Sequence, residues 1–387
     1  MSPNFAAFDI SEHHERMIRA RAALTDAKLD ACVVVAPEHL YYFGGYDSWV
    51  SVNSPQAMLF TGGDDAPTLI LRNVDLPLAR ETSWVEDIRT YHMHADDYGQ
   101  MVRDVLGEKG VTQGRIGIEL QSYALPHALG AHLAAALTPM EIADATELLG
   151  DLRLIKSPAE MRYLERAAHF AAQGLRAVYE NLQPGISEIA LAAQIESAMR
   201  RAGSDYWAIP TELASGARSA GGHATPRDKT IDAGELVHVE FAGVSQRYHS
   251  TALQTLAIGS PGAKARELYD IALASLRAGM AEAKPGAAVA TIEEASLEPL
   301  RAHGLEDAAM MRFGYGIGIA YPPIWLETLQ IARGIERTLE PGMVFVLHSC
   351  LELPDEGLGV VQGGTYALTA TGLTKLVGAG DIELVMV

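Results

Sequence analysis

The second half of the chain repeats itself, and this repeat limits the possible folds more than any other feature of the sequence. Segments 231–240 (IDAGELVHVE) and 339–348 (LEPGMVFVLH) share an apolar residue, an acid, a small residue, a glycine and then a predicted strand, and their glycines lie 108 residues apart. The tripeptide QPG at 183–185 recurs as KPG at 284–286. Duplicated units of this kind usually bring their equivalent strands together about a pseudo-twofold axis. We therefore predict a pocket between the two copies.

The first half of the chain alternates short apolar runs with amphipathic segments, which predicts an α/β domain with a mixed sheet. Helices are predicted over 11–29, with Ser11 as the N-cap, and over 96–110. The sequence Ser157-Pro158-Ala159-Glu160 is a capping box that predicts the start of a long helix. We therefore predict an N-terminal domain over 1–150 and a C-terminal domain over 151–387. Strands are predicted at 31–37, 56–62, 67–73 and 115–120.

Composition and charge exclude several classes of partner. The chain has a net charge of −19, which argues against nucleic acid and anionic membranes. It contains no apolar run long enough for a transmembrane helix, and no pattern of a secretory signal. Cys32 and Cys350 are the only cysteines, so we expect a reducing compartment and a cytoplasmic protein without disulfides.

A cluster of polar residues interrupts the predicted hairpin 236–255. Glu240 lies in the middle of its first strand, where a lone buried carboxylate costs several kcal/mol unless it is paired. This cost favours a functional role for Glu240, whereas His238 on the same face is interpreted as a core residue. His249 lies on the return strand. His223 follows two glycines in GGHATP, in a loop upstream of the hairpin.

Two further segments complete the candidate site. The repeat gives His348 the position in the second copy that Glu240 has in the first. Tyr315 lies in a glycine-rich and aromatic segment, 312–325, that we interpret as the wall of a shaped pocket. Cys350 is interpreted as a small apolar filler, because the sequence assigns it no base as a partner.

These motifs resemble a known family. From KSPAEM through GGHATP, AGELVHVEFAG, FGYGIGIAY, LEPGMVF and LTATG, the chain is similar to the pita-bread fold of creatinases, Xaa-Pro peptidases and methionine aminopeptidases (peptidase family M24). The first half resembles the smaller domain of creatinases and prolidases. The resemblance implies a creatinase-like N-terminal α/β domain, followed by a C-terminal pita-bread domain with a pseudo-twofold repeat.

The positions that bind metal ions in this family are altered. The two aspartates fall on Glu240 and Thr251, the histidine on Tyr315, and the two glutamates on His348 and Gly363. Two bridging carboxylates are thereby lost, and a dinuclear site needs such carboxylates to hold two cations close together. We therefore expect no catalytic metal and no cofactor.

The resemblance is strongest to the metal-independent branch that contains creatinase and ectoine hydrolase. It implies hydrolysis of a non-peptide C–N bond in a small amidine or guanidine compound. His223 matches a histidine that acts as an acid/base in creatinase, and Glu240 is expected to bind an amidinium or to attack it. The resemblance also implies a homodimer in which the N-terminal domain reaches the partner's site. The residues expected to bind substrate are His249, Tyr315, His348, Arg312 and Arg247, with Arg218 as a further candidate for a carboxylate, and Tyr46 and Trp49 across the dimer.

Two other functions remain open from the sequence. The first is a divergent metal-dependent Xaa-Pro peptidase that uses Glu240, His348 and another histidine. The second is a binding or scaffold protein without catalysis, because a fold does not fix a function.

Overall fold

The protein is described by a computed structural model that covers residues 3–378 and 384–387. The chain divides into two compact units, Met1–Arg153 and Leu154–Val387. Within the described ranges, no helix combines the length and the apolar character that crossing a membrane requires.

The first unit is an α/β domain built on a six-stranded mixed sheet. The strand order is β4-β3-β2-β1-β5-β6; β2 is antiparallel to β1 and β3, and the other pairs are parallel. The predicted mixed sheet and its four predicted strands are confirmed. The elements are α1 (Ile10–Asp26), β1 (Ala31–Val34), α2 (Pro37–Gly44), β2 (Ala57–Thr61), β3 (Thr68–Arg72), α3 (Leu76–Thr82), β4 (Asp87–Tyr91), α4 (Tyr98–Glu108), β5 (Arg115–Ile118), α5 (His127–Ala136), β6 (Glu141–Asp144) and α6 (Thr146–Asp151).

Helix α1 begins earlier than predicted. Its N-cap is Asp9, which has an extended backbone conformation, and its first helical residue is Ile10. Ser11 therefore lies inside the first turn, and the prediction that it caps the helix is wrong. The second predicted helix, α4, is capped by Asp97, whose carboxylate accepts a hydrogen bond from the backbone N–H of Gln100 at 3.0 Å.

The second unit is built on a nine-stranded sheet and four helices. The main path of the sheet is β11-β10-β12-β13-β9-β8-β7, with β14 paired to β13 and β15 paired to β9. The elements are α7 (Pro158–Asn181), α8 (Glu188–Ala202), β7 (Glu212–Ser215), β8 (Leu236–Ser245), β9 (Tyr248–Ala257), α9 (Ala263–Glu282), α10 (Val289–Ala302), β10 (Gly314–Tyr321), β11 (Ile324–Ile331), β12 (Val344–Leu353), β13 (Leu358–Thr369), β14 (Gly372–Gly378) and β15 (Val385–Met386).

The predicted repeat is confirmed at its turns. The glycines Gly234 and Gly342 have φ values of 87° and 96°, and each is followed two residues later by a ten-residue strand, β8 or β12. Each of these strands pairs antiparallel with the next strand of its own copy. The second strands of the two copies, β9 and β13, pair with each other near the middle of the sheet. The two copies therefore form one continuous sheet.

Helix α7 packs closely against one face of this sheet. It starts with the predicted capping box, in which Ser157 Oγ accepts from the Glu160 N–H at 3.2 Å. A Cβ on Gly243 of β8 would collide with the backbone of Ala167 in this helix, and a Cβ on Gly174 would collide with Phe241 of β8. Because side chains alternate along a strand, Glu240 of β8 points to the opposite face.

Candidate active site

Two glutamates lie opposite each other on neighbouring strands of the second unit. Glu212 of β7 is the direct antiparallel partner of Glu240 of β8. Directly opposed residues on one face of an antiparallel pair have Cβ atoms about 5 Å apart, so the two carboxyls are neighbours. The side chain of Glu212 is almost completely buried. Sequence reasoning missed Glu212, because an acid between Thr211 and Leu213 on a four-residue strand shows no alternating pattern.

Burial controls the protonation of both glutamates. Burial raises the pKa of Glu212, and the charge of Glu240 raises it further, to about 9. Burial also raises the pKa of Glu240 to about 7, while the hydrogen bond from Tyr315 opposes this shift. Two carboxylates at this separation repel each other when both are ionised. Near neutral pH the pair therefore keeps a proton, and Glu240 is the more readily ionised member.

A relay of hydrogen bonds orients Glu240. Trp325 of β11 donates its indole N–H to the hydroxyl oxygen of Tyr315 at 3.1 Å, and Tyr315 donates its own proton to Glu240 Oε1 at 3.1 Å. Burial, with the adjacent Glu240, raises the pKa of Tyr315 well above its usual value, so the phenol remains a donor. The structure thus brings the predicted residues Tyr315 and Glu240 into direct contact.

His348 of β12 lies beside Tyr315, with their ring centroids 5.7 Å apart. Its Nδ1 is 3.1 Å from the sulfur of Cys350, and burial raises the pKa of this thiol well above its usual value. When this protonated thiol donates to Nδ1, the proton of the neutral imidazole lies on Nε2. Burial, with Arg312 and His223 nearby, lowers the pKa of His348 to about 4. The interpretation of Cys350 as an apolar filler without a base as a partner is therefore wrong, because its sulfur contacts the imidazole of His348.

His223 is exposed on the loop that follows β7. Its charge acts to lower the pKa values of both His348 and Glu352, so it lies near these two side chains. A Cβ on the preceding Gly222 would collide with Glu352 Oε1, so the glycine lets this loop approach β12. Arg218 stabilises the same loop, since it forms an ion pair with Glu188 and donates to the carbonyl of Thr225 at 2.8 Å. The guanidinium of Arg218 thus already binds groups of the loop and of Glu188, so the prediction that it binds a substrate carboxylate is not supported.

The structure corrects the predicted roles of two residues at the β8–β9 hairpin. His249 accepts from the N–H of Ala208 at Nε2 (3.0 Å) and donates from Nδ1 to the carbonyl of Arg247 (2.8 Å), so both ring nitrogens are used by the backbone. Arg247 lies in the hairpin turn, where its buried guanidinium pairs with Asp205 at 3.2 Å and stacks on Tyr206. Both ring nitrogens of His249 are therefore occupied, and the guanidinium of Arg247 is buried and held by Asp205 and Tyr206, so neither side chain is presented to a substrate.

The three remaining predicted residues have different environments. Arg312 is exposed next to β10 and donates to Gln330, and its charge acts on His348. Trp49, in the first unit, is 63% exposed. Tyr46 is fully buried in that unit, where its hydroxyl accepts from Gln56 Nε2 at 2.9 Å. A side chain without exposed surface does not reach a second subunit, so the prediction for Tyr46 is wrong.

The residues at the family's metal-binding positions do not fit a dinuclear metal site. Tyr315 is a protonated donor to Glu240 rather than a ligand. Gly363 lies opposite His348, and a Cβ there would collide with the carbonyl of Leu347 and lie 2.7 Å from the His348 Cβ, so no carboxylate occupies this position. Within residues 3–378 and 384–387, no three His, Cys, Asp or Glu side chains are grouped closely enough to hold a metal ion.

Comparison with known proteins defines the class of this chain. The model of the creatinase/prolidase N-terminal domain matches residues 16–155, and that of metallopeptidase family M24 matches residues 162–370. The chain therefore belongs to family M24, a family of hydrolases, and has a creatinase-like N-terminal α/β domain followed by a pita-bread domain.

Its relatives include enzymes of two kinds. Ectoine hydrolase of Halomonas elongata is 30% identical over 389 residues, covering 95% of this chain and 96% of that protein. The Xaa-Pro dipeptidase of Pyrococcus furiosus is 26% identical over 366 residues, covering 94% and 97%. A solved structure of the Xaa-Pro dipeptidase from Bacillus anthracis superposes with a TM-score of 0.85 at 23% identity, covering 97% of this chain and 100% of that one, which shows the shared fold.

Proposed function

We propose that this protein is a metal-independent hydrolase of a C–N bond in a small amidine or guanidine compound. The observation that supports this function is the environment of Glu240, a partly buried carboxylate that is oriented by a tyrosine and lies beside a second carboxyl instead of a metal-binding set. A planar cationic group matches such an anion in charge and in hydrogen-bonding geometry. The similarity to ectoine hydrolase supports the same substrate class.

In the proposed reaction, the ionised Glu240 pairs with the N–H groups of the amidinium while water adds to its carbon; if Glu240 attacks that carbon instead, the same water cleaves the ester and frees the carboxylate. His223 takes a proton from water as the water oxygen adds to that carbon, and the electrons of the C=N bond move to nitrogen. The protonated His223 then returns the proton to the leaving nitrogen as the C–N bond breaks. Tyr315 holds Glu240 in position by donating its hydroxyl proton to it, and the imidazole of His348 stabilises the charge that develops at the reacting centre. As the C–N bond breaks, its electron pair leaves on nitrogen, the added hydroxyl oxygen forms the C=O bond, and the hydroxyl proton passes to solvent. One water is consumed, and the products are an amide or urea and an amine.

A substrate screen with and without chelator tests this proposal. Purified protein is assayed against creatine, ectoine, hydroxyectoine and Xaa-Pro dipeptides, before and after dialysis against EDTA, with elemental analysis of each sample. We expect hydrolysis of an amidine or guanidine compound at a rate that EDTA does not change.

The other outcome favours a second function. Xaa-Pro dipeptidases are among the relatives of this chain, and such an enzyme would cleave the dipeptides and lose activity with EDTA. Restoration of that activity by Mn²⁺ or Zn²⁺ would contradict our proposal. Absence of any turnover, with the protein folded, would favour a binding or scaffold role.

We also propose that the protein is a cytoplasmic homodimer in which Trp49 contributes to the site of the partner subunit. The exposed indole of Trp49 and the two free buried cysteines support this proposal. Light scattering after size exclusion is expected to give a mass near twice the 41.5 kDa of the chain. Trp49→Ala is expected to raise KM while thermal stability is unchanged; a monomeric mass for the active enzyme would contradict the proposal.

A further inference from the structure

Glu212 differs from the other buried glutamates in the described part of the chain, because no described residue forms a hydrogen bond with its carboxyl and only burial and Glu240 act on it. The others each bond a cationic side chain, a hydroxyl or a backbone N–H. Burial of an unpartnered carboxyl is costly unless the group is neutral or a ligand supplies the missing contacts. The buried glutamates that have partners are Glu119, Glu160, Glu188, Glu293 and Glu327.

A second buried group next to this pair also has no partner. Thr251 of β9 lies opposite Ala242, two residues along β8 from Glu240, and its side chain therefore shares the sheet face of Glu240. The residue has no exposed surface, and among the described residues its hydroxyl has no hydrogen-bond partner. Buried hydroxyls are normally hydrogen-bonded, so an unpartnered one on the strand next to Glu240 indicates a place where a polar ligand binds.

We propose that Glu212 and Glu240 together bind one amidinium or guanidinium group, that Thr251 also contacts this ligand, and that Glu212 sets the charge of the site. This inference deepens the proposed function and rests on it for the class of substrate. The planar cation has N–H groups on two edges, which suit two adjacent carboxylates. The free pair holds one proton in place of the cation. Binding of the cation therefore displaces that proton from Glu212.

The groups that face the pair do not titrate in the range where this exchange is measured. Tyr315 from β10 and Cys350 from β12 have pKa values raised above their usual ones, and His348 from β12 has a pKa of about 4. All three are neutral between pH 7 and 8.5. Glu240, whose pKa is about 7, is ionised through most of this range, so Glu212 is the main group of this face that loses its proton on binding. The affinity for a cation increases with pH because binding favours the ionised form.

The test is calorimetric titration of the full-length enzyme with acetamidinium chloride between pH 7 and 8.5. For the wild type, we expect the dissociation constant to fall by about tenfold per pH unit, as displacement of one proton requires. Glu212→Gln keeps the size and shape of the side chain but has no proton to release. Its dissociation constant is expected to change by no more than about twofold in this range, through the remaining ionisation of Glu240, and to exceed that of the wild type by roughly tenfold or more at pH 8.5. Acetamide, the neutral analogue of the same shape, is expected not to bind.

A second measurement addresses whether the variant is folded. When the pKa of a carboxyl is higher in the folded protein than in the unfolded chain, its protonation stabilises the fold. This stabilisation is complete below the pKa of the unfolded chain and is lost as the pH rises through the pKa of the folded protein. The melting temperature of the wild type is therefore expected to fall between pH 7 and 9, and the melting temperature of Glu212→Gln to fall less. Equal pH dependence of acetamidinium binding in both proteins, or binding of acetamide as tightly as acetamidinium, would overturn the inference.

The outcomes separate this inference from the proposed function. If acetamidinium binds with the expected pH dependence but no compound is hydrolysed in the screen, the cation site stands and the catalytic proposal fails. If an amidine is hydrolysed but the pH dependence of binding is unchanged by Glu212→Gln, the role of Glu212 fails and the catalytic proposal stands.

Discussion

Replacement of Glu240 by Gln is expected to lower kcat/KM by about 10³-fold on the compound that the screen identifies as substrate. Gln has nearly the same shape as Glu and still accepts the hydrogen bond from Tyr315, so the site remains assembled. What the variant loses is the negative charge that pairs with an amidinium or attacks it. Neither role can be filled by a neutral amide.

Two further variants control this experiment. Glu240→Asp keeps the charge but shortens the side chain, and it is expected to retain more activity than Glu240→Gln. Glu267→Gln changes an exposed glutamate on α9 and is expected to behave as the wild type. Because Glu240 is destabilised in its ionised form, Glu240→Gln is expected to melt no lower than the wild type above pH 7. Turnover of Glu240→Gln within a few-fold of the wild type would remove the carboxylate from the mechanism.

The large-scale architecture could be predicted because the turn residues of the first copy recur in the second. A glycine with positive φ is needed at the same point of each copy, and Gly185 and Gly286 show this most clearly. Each donates its N–H across the turn, Gly185 to the carbonyl of Ile231 and Gly286 to that of Leu339. Positions with positive φ strongly favour glycine. The glycines of the repeat can therefore be recognised in the sequence even where the other residues of the two copies differ.

The details of the site were harder to predict for a different reason. A residue type shows which polar atoms a side chain has, but not whether the backbone already uses them. His249 and Arg247 were predicted to bind substrate from their place in the hairpin, and both are satisfied by local backbone or by Asp205. Glu212 was missed because its strand has four residues, which is too short for an alternating pattern to emerge.

The protonation states of the site also depend on pairs of neighbouring side chains, and the sequence alone does not show which side chains are neighbours. Cys350 and His348 are two residues apart on one strand and share a face, so their contact follows from alternation once the strand is known. The consequence is that His348 is a neutral donor at Nε2. Glu212 and Glu240 are 28 residues apart, and only the register of β7 against β8 makes them neighbours.

His223→Ala is expected to lower kcat by at least about a hundredfold, while substrate binding changes much less. His223 is exposed on a loop, and its removal breaks no hydrogen bond that the described residues form with it. The fold is therefore expected to be retained, with a melting temperature close to that of the wild type. A loss confined to kcat is the result expected for a group that moves protons rather than one that holds substrate.

Added imidazole distinguishes proton transfer from a structural role of His223. Free imidazole fits the space that the truncated side chain leaves and is expected to restore part of the activity of His223→Ala, with a rate that depends on its basic form. The matched control is His303→Ala, which removes another exposed histidine of the same unit and is expected to have wild-type kcat with no response to imidazole. Undiminished kcat in His223→Ala would assign proton transfer to another group, with the Glu212–Glu240 pair as the next candidate because it holds a proton near neutral pH.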